Sequence, residues 1–459
     1  MIHSHSMSSE RTENPLGYEK ILLLLKQFAI PSIIAMLVSS LYNVVDQIFI
    51  GQGVGYLGNA ATNVAFPLVT ICMAITLTIG IGSASRFSLY LGRKQEEEAS
   101  KVVGNGFCMM LVFGTVYAIV VELFLPSMLT AFGATEDIFP YAVTYTRITT
   151  LGMPFLVIMN GISNLARADG SPFYSMTTML LGAIVNTILD PIFIFIFHWG
   201  VAGAAWATII GQIASGIMAL LYMRNFKRIT LKKEYFKLSW TQMCTTAKMG
   251  MSNGLTQIAV TLVQIILNRS LVYYGALTIY GASIPLASSG IVMKINGIVF
   301  SVIIGLTQGM QPIIGFNYGA KQYKRVKATY ALVVCCELVI TLLGVLVFQL
   351  FPAQVLSLFG KGDELYMEFS VRFMRTFLIF FPLGGIHIIS SNFFASIGKP
   401  VKGACLSMTR QVFSFIPLVL ILPLFFGLYG TMYAGPCSDL ISFFIVLTFI
   451  IKEMRSMKT

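Results

Sequence analysis

The chain has 459 residues, of which 56% are hydrophobic and only 11% charged, and its mean hydropathy is +0.79. Soluble domains carry about 25% charged residues, so this chain cannot cover a water-facing globular surface. A membrane-spanning helix needs about 20 apolar residues, and the chain is long enough for about twelve of them with short connections. These figures exclude a soluble enzyme, a disordered protein and a receptor with a single membrane anchor.

The formal charge of +12 does not indicate a nucleic-acid partner, because the basic residues are not clustered within long polar segments. The seven cysteines include no CxxC pair and mostly lie in apolar runs. Neither a disulfide framework nor a metal site is therefore predicted from them. The first 20 residues are polar and contain no short apolar segment before a small-residue cleavage site, so we expect no removable signal peptide.

Apolar runs bounded by polar residues or by Gly and Pro predict twelve transmembrane helices. In chain order they are 21–49, 57–83, 101–124, 138–163, 172–197, 201–223, 247–272, 281–306, 328–350, 366–392, 403–426 and 429–451. The termini and the loops after the even-numbered helices carry 24 of the 31 Lys and Arg residues, whereas the other loops carry only Lys361. This asymmetry predicts that both termini are cytoplasmic.

The longest polar connection divides the predicted helices into two sets of six, which resemble each other in sequence. Arg147 and Pro154 recur as Arg375 and Pro382, and the segments at 163–172 and 391–400 match at the same spacing of 228 residues. This constant spacing predicts a duplicated six-helix unit, parallel because six helices return the chain to the starting side. The predicted fold is an all-α membrane protein with two pseudo-symmetric six-helix bundles facing a central cleft.

The predicted parts of the chain follow from that division. They are a cytoplasmic tail at 1–20, an N-terminal lobe at 21–223, a cytoplasmic linker at 224–246, a C-terminal lobe at 247–451 and a second tail at 452–459.

Two acidic residues lie inside apolar runs, where an ionisable group is costly and therefore indicates function. Asp46 is in helix 1 and Asp190 in helix 5, with Asn186 four residues earlier on the same helical face and Thr208 available on helix 6. Such an all-oxygen set suits a sodium ion, or two carboxyl groups that share a proton. In the alternative interpretation Asp190 caps the break at Pro191, Asp46 has a fixed partner, and Thr208 bonds its own helix backbone.

The second half lacks an equivalent acid pair, since helix 7 has Gln257 and Gln264 instead. The coupling site is therefore expected only in the first lobe. Lys294 lies in the middle of helix 8, and Glu337 and Asp439 are its candidate partners. These residues either contact substrate in the cleft or form a structural ion pair.

The chain resembles the MATE (multidrug and toxic compound extrusion) family, and most closely its MepA-type and DinF-like members. The resemblance rests on Pro31 and Asp46 in helix 1, Ala166-x-Ala168-x-Gly170-x-Pro172, Asn186-x-x-x-Asp190-Pro191, and the segment from Gln308 to Gly319. It implies a V-shaped pair of lobes that exports organic cations in exchange for sodium or protons. It also implies a cation site at Asp46, Asn186, Asp190 and Thr208, and a bend of helix 1 near Pro31.

The predicted function is that of a secondary active multidrug exporter. It would exchange cationic or amphipathic drugs for H⁺ or Na⁺ by alternating access, without a cofactor, as a monomer in the inner membrane of a bacterium. A lipid-linked oligosaccharide flippase is the alternative, with Lys294, Arg269 and Arg410 as candidate ligands for a pyrophosphate. An intramembrane enzyme is not predicted, because no nucleophile and base or metal-binding His/Glu motif is found.

Overall fold

The structure is a computed structural model, and it describes residues 14–132, 134, 136–358 and 364–457. Over these residues the chain is helical, without strands. The α-helices are α1 Ile21–Gly53, α2 Tyr56–Gly92, α3 Glu96–Ala131, α4 Phe139–Ala168, α5 Pro172–Pro191, α6 Gly200–Tyr222, α7 Trp240–Ala276, α8 Ser283–Gly319, α9 Tyr323–Leu350, α10 Pro352–Ser357, α11 Glu364–Phe377, α12 Phe381–Ser396, α13 Pro400–Met408, α14 Ile416–Phe426 and α15 Leu428–Ser456. Lys361 lies outside the described residues.

The helices account for twelve membrane spans. Eleven continuous helical segments of the described chain are long and apolar enough to cross a bilayer, and α11 and α12 form a twelfth span with a bend of 49°. The bend comes just before Pro382, whose missing N–H and ring disfavour helix at that point. Apolar runs become helices because a bilayer offers no water to satisfy the backbone polar groups.

Several helices extend beyond the predicted apolar runs on the side of the molecule that holds the termini. α2 continues to Gly92 and α8 to Gly319. α7 begins at Trp240, inside the predicted linker at 224–246, so the non-helical connection between the lobes is shorter than that segment. The reason is that hydropathy marks the hydrocarbon layer, whereas a helix can continue into the polar interface.

The two lobes repeat the same fold, as the duplicated sequence predicts. Glycines at equivalent turns have positive φ, with Gly170 at +88° and Gly398 at +80°. Lys94 at +59° and Lys321 at +58° follow α2 and α8 at a spacing of 227 residues, a further repeat that the sequence comparison missed. A lysine rarely adopts positive φ, so its recurrence at equivalent positions confirms the parallel repeat.

The lobes pack tightly in the half of the molecule that holds the termini. A Cβ atom at Gly250 of α7 would lie 1.8 Å from the Thr78 carbonyl oxygen of α2, and one at Gly305 of α8 would lie 2.5 Å from the Ile33 Cα of α1. Only residues without a side chain permit backbones this close. In the opposite half of α8, a Cβ at Gly290 would meet no atom within 4 Å. The cleft is therefore closed on the side of the termini and open on the other.

Pro31 lies within this inter-lobe contact. α1 is one continuous helix of 33 residues through Pro31. On one side of the proline, Ile33 contacts Gly305. On the other side, the Ala29 Cα lies 2.6 Å from the position that a Cβ atom at Gly309 would take. The bend predicted at Pro31 remains a prediction, and the residue is placed where a bend would separate α1 from α8.

The shortened linker is held to the first lobe by Asp169, which follows α4. Its carboxylate accepts hydrogen bonds from Lys227 N (2.6 Å), Arg228 N (3.0 Å) and Tyr222 Oη (2.7 Å). Between the lobes, Arg86 of α2 donates to Thr246 Oγ1 of α7 at 2.8 Å. The closed side is thus stabilised by polar contacts as well as by close backbone packing.

Candidate coupling site and substrate cavity

A cavity of about 600 Å³ lies in the first lobe, in the half of the molecule away from the termini. Its wall is formed by α1, α2, α4, α5 and α6, and one residue of the other lobe, Lys294 of α8, also lines it. Cavities of roughly 300–1,000 Å³ hold drug-sized molecules. The cavity faces the open side of the cleft, because it uses the part of each helix that lies beyond the inter-lobe contact.

One of the two acids predicted from the sequence, Asp46, lines this wall, and the other, Asp190, lies buried next to the lining residue Asn186. Asp46 is 9% exposed and Asp190 is fully buried, and the two carboxyl groups are close enough to interact electrostatically. Asp190 stands where α5 ends at Pro191 and continues into a π-helical turn, Ile192–Ile196. This wide turn sits next to the site, as π-helical turns in membrane helices often do.

Asn186 and Thr208 complete the group of four. The Asn186 amide nitrogen lies 3.3 Å from Asp190 Oδ1 and 3.3 Å from Thr208 Oγ1. With the amide turned over, its nitrogen donates to Asp190 Oδ2 and its oxygen accepts from Thr208 N, both at 3.2 Å. Asn186 therefore bridges the acid of α5 to α6 in either orientation.

Neither acid has a basic partner among the described residues. Asp46 and Asp190 form no ion pair, and Asp46 Oδ1 has no hydrogen-bond partner. The alternative in which Asp46 is neutralised by a fixed partner is thus not observed. Two adjacent buried carboxyl groups cannot both stay charged without a cation, so the pair has to hold a proton or a metal ion or be hydrated.

The cavity wall also contains residues that the sequence could not single out. Four of the 24 methionines and one of the 35 phenylalanines line it, namely Met73, Met153, Met159, Met179 and Phe66. The polar part includes Asn43 and Gln47 of α1. These two could have been found, because Asn43, Asp46 and Gln47 follow the i, i+3, i+4 spacing of a single helical face.

The residues predicted in the second half do not form one group. Gln264 donates to Asn268 Oδ1 at 2.9 Å on the same helix, and neither Gln257 nor Gln264 lines the cavity. Glu337 is fully buried, and neither of its carboxyl oxygens has a hydrogen-bond partner among the described residues. The sequence grouped these side chains because it gives helix positions but no distances between helices.

Of the two alternatives for Lys294, an ion pair with Asp439 or Glu337 is not formed among the described residues. Asp439 instead pairs with Arg410 at 2.6 Å. Arg410 lies in the π-helical segment Thr409–Phe415 between α13 and α14, which directs its guanidinium at α15. Lys294 is left without an ion pair in the part of the chain that the structure describes and lines the cavity instead.

The buried pair permits a stability test. Arg410→Leu should lower the free energy of unfolding by about 3–5 kcal/mol, because it leaves the Asp439 carboxylate buried without its partner. Arg410→Leu combined with Asp439→Leu should recover most of that loss. The matched control is Arg147→Leu, which removes a pair with Glu122 whose side chains are 58% and 41% exposed, and should cost about 1 kcal/mol or less. Thermal unfolding of detergent-purified protein measures all three, and equal losses for the two single variants would contradict the assignment.

Comparison with known proteins agrees with this architecture. The MatE family model matches residues 31–192 and 252–420, one match in each lobe. The multidrug export protein MepA of Staphylococcus haemolyticus is 26% identical over 439 residues, which cover 94% of this chain and 93% of that protein. MepA of Staphylococcus aureus strain N315 is 25% identical, covering 89% and 88%.

Solved structures share the fold over nearly the whole chain. An outward-facing multidrug resistance MATE family transporter of the MOP superfamily matches with a TM-score of 0.89 at 22% identity, covering 96% of this chain and 99% of that one. A MATE transporter in its bent conformation matches at a TM-score of 0.87 and 22% identity, with coverages of 96% and 98%. The family model covers most of the chain in two halves that coincide with the two lobes. This chain therefore belongs to the MatE family of membrane transporters.

Proposed function

We propose that this transporter exports cationic or amphipathic drugs in exchange for protons or sodium ions that bind at Asp46 and Asp190. The proposal is carried by one observation, a buried acid pair without a basic partner among the described residues, of which Asp46 lines a drug-sized cavity and Asp190 lies behind its wall. The staphylococcal relatives, which are multidrug export proteins, support the same substrate class.

In the proposed mechanism the coupling ion and the drug compete for the same negative charge. With the ion bound, the carboxyl pair is neutral or nearly so and tolerates a dry environment. With the ion released, the pair needs another cation, and an organic cation in the cavity supplies it. Exchange follows, because each ligand displaces the other.

α1 connects this competition to the opening of the cleft. Asp46 lies in the half of α1 that lines the cavity, and the other half packs against α8 around Pro31. A change of charge at Asp46 therefore acts on the same helix that closes the opposite side. With both termini in the cytoplasm, the open side of this structure faces outward, where an inward ion gradient loads the site.

A proton fits the pair more closely than sodium does. A proton on one of two neighbouring buried carboxyl groups relieves their repulsion without requiring any further ligand, whereas a sodium ion needs several oxygen ligands. A membrane potential supplies about 2.3 kcal/mol per charge per 100 mV. If one net charge moves in each cycle, this energy drives roughly 50-fold drug accumulation.

Ethidium transport in proteoliposomes tests the proposal. Proton and sodium gradients are imposed separately, and protein-free vesicles and vesicles with an ionophore serve as controls. We expect concentrative ethidium movement driven by the proton gradient. Movement driven by sodium alone would support the export function and identify sodium as the coupling ion. No movement under either gradient would overturn the proposal.

The flippase alternative is not favoured. Two of its three candidate cationic ligands are not available in the cavity, since Arg410 pairs with Asp439 and Arg269 does not line the wall. A pyrophosphate next to the two acids would be repelled rather than bound.

A further inference from the structure

We propose that Lys294 determines substrate specificity by selecting drugs that carry an anionic group in addition to their cationic group. The cationic end would lie at Asp46, with Asp190 behind it, and the anionic end at the Lys294 ammonium group. The inference rests on the proposed export function and specifies the class of substrate, an amphipathic zwitterion with separated charges.

The position of Lys294 on α8 is the first reason. Gly290 lies four residues before it and Gly297 three residues after it, so the three residues share one helical face. A Cβ atom at either glycine would meet no heavy atom within 4 Å, which shows that this face borders open space. Lys294 is therefore the only one of the three with a side chain to extend into the cleft.

The second reason is that the Lys294 ammonium group has no ion-pair partner among the described residues. Lys294 is exposed, and it makes no ion pair within the described part of the chain. It still lines the same cavity as both Asp46 and Asn186. A lysine serving as a fixed counter-ion would lie within 4.0 Å of an acid in this structure, and this one does not.

Charge balance is the third reason. With one proton on the acid pair, the pocket carries one negative charge on the first lobe and one positive charge on the second. A simple organic cation satisfies the acids but places its charge in the field of Lys294, which disfavours its binding. A zwitterion of drug size satisfies both ends at once, and a cavity of about 600 Å³ accommodates it.

Two dyes that share one cationic ring system and differ in a single anionic group provide the test. A rhodamine with a free carboxylate and its ethyl ester share the same xanthylium cation, and transport of each is measured in proteoliposomes under the same ion gradient. Lys294→Gln should lower transport of the carboxylate dye about fivefold and raise transport of the ester. Lys294→Arg should keep the ratio of the wild-type protein, because it retains the charge.

The controls separate the possible outcomes. Arg269→Gln removes an exposed charge that does not line the cavity, and should leave the dye ratio unchanged. Gel filtration and direct binding of each dye to the purified Lys294→Gln variant show whether it is folded. If Lys294→Gln slows both dyes equally, the ammonium acts as an internal counter-ion in the transport cycle and the proposal is overturned. If the wild-type protein moves neither dye nor ethidium, the proposed export function fails instead.

Discussion

Asp46→Asn and Asp190→Asn should each reduce gradient-driven ethidium export by at least about tenfold while leaving the protein folded. The amide has the size of the carboxyl group and can still form hydrogen bonds with its neighbours, but it cannot take up or release a positive charge. In either variant a single carboxyl group remains, and it no longer has a second negative charge beside it that raises its affinity for a proton or cation. The coupling ion is then bound too weakly for the site to alternate between its occupied and empty states during the cycle.

Drug binding and transport have to be measured on the same variants. Ethidium fluorescence titration of purified protein reports binding, and flux under a proton gradient reports coupling. Glu122→Gln is the matched control, because Glu122 is a partly exposed acid of the same lobe that pairs with Arg147 at 2.8 Å outside the cavity. Normal gradient-driven export by Asp46→Asn would show that the acid pair does not couple ion movement to export, whatever the effect of the substitution on drug binding.

The acid pair could be predicted from the sequence because the evidence for it lies within short segments of the chain. A charged residue in an apolar run is conspicuous, and the spacing of Asn186 and Asp190 places both on one helical face. The twelve spans and the repeat were predictable for similar reasons. Length and hydropathy determine the spans, and a constant spacing reveals the duplication.

Contacts between helices were not predictable in the same way. The partner of Asp439 is Arg410, and the sequence offered Lys294 equally well, since the choice depends on a π-helical segment that redirects the arginine. Which methionines line the cavity depends on helix rotation, because Met residues that face lipid and Met residues that face the cavity have the same hydropathy. α7 begins at Trp240, and Arg86 of α2 donates to the Gln242 carbonyl oxygen at 3.0 Å, an inter-helix contact that hydropathy does not reveal.

Gly250→Ala should favour the conformation in which the side that is closed in this structure is open. The added Cβ would lie 1.8 Å from the Thr78 carbonyl oxygen and 2.5 Å from its carbonyl carbon, and these are backbone atoms of α2 that cannot rotate away. Overpacking of this kind costs about 1–3 kcal/mol or more. Because the cost falls only on the conformation in which α2 and α7 touch, it shifts the equilibrium roughly 5- to 150-fold toward the opposite opening. Export should fall accordingly, since a cycle needs both conformations.

Labelling of the cleft measures this shift independently of transport. In a variant without native cysteines, a Gly290→Cys reporter lies in open space on the cleft face of α8 and should react rapidly with a polar maleimide. Adding Gly250→Ala should slow that reaction at least about fivefold, because the second conformation closes the cleft around α8. Gly344→Ala is the control, since the nearest atom to its Cβ position is 3.9 Å away. If the reporter reacts equally fast with and without Gly250→Ala while export is lost, the inter-lobe contact is a packing requirement and does not gate the cleft. A slower reaction that accompanies the loss of export means that the close approach of α2 and α7 sets which side of the molecule is open.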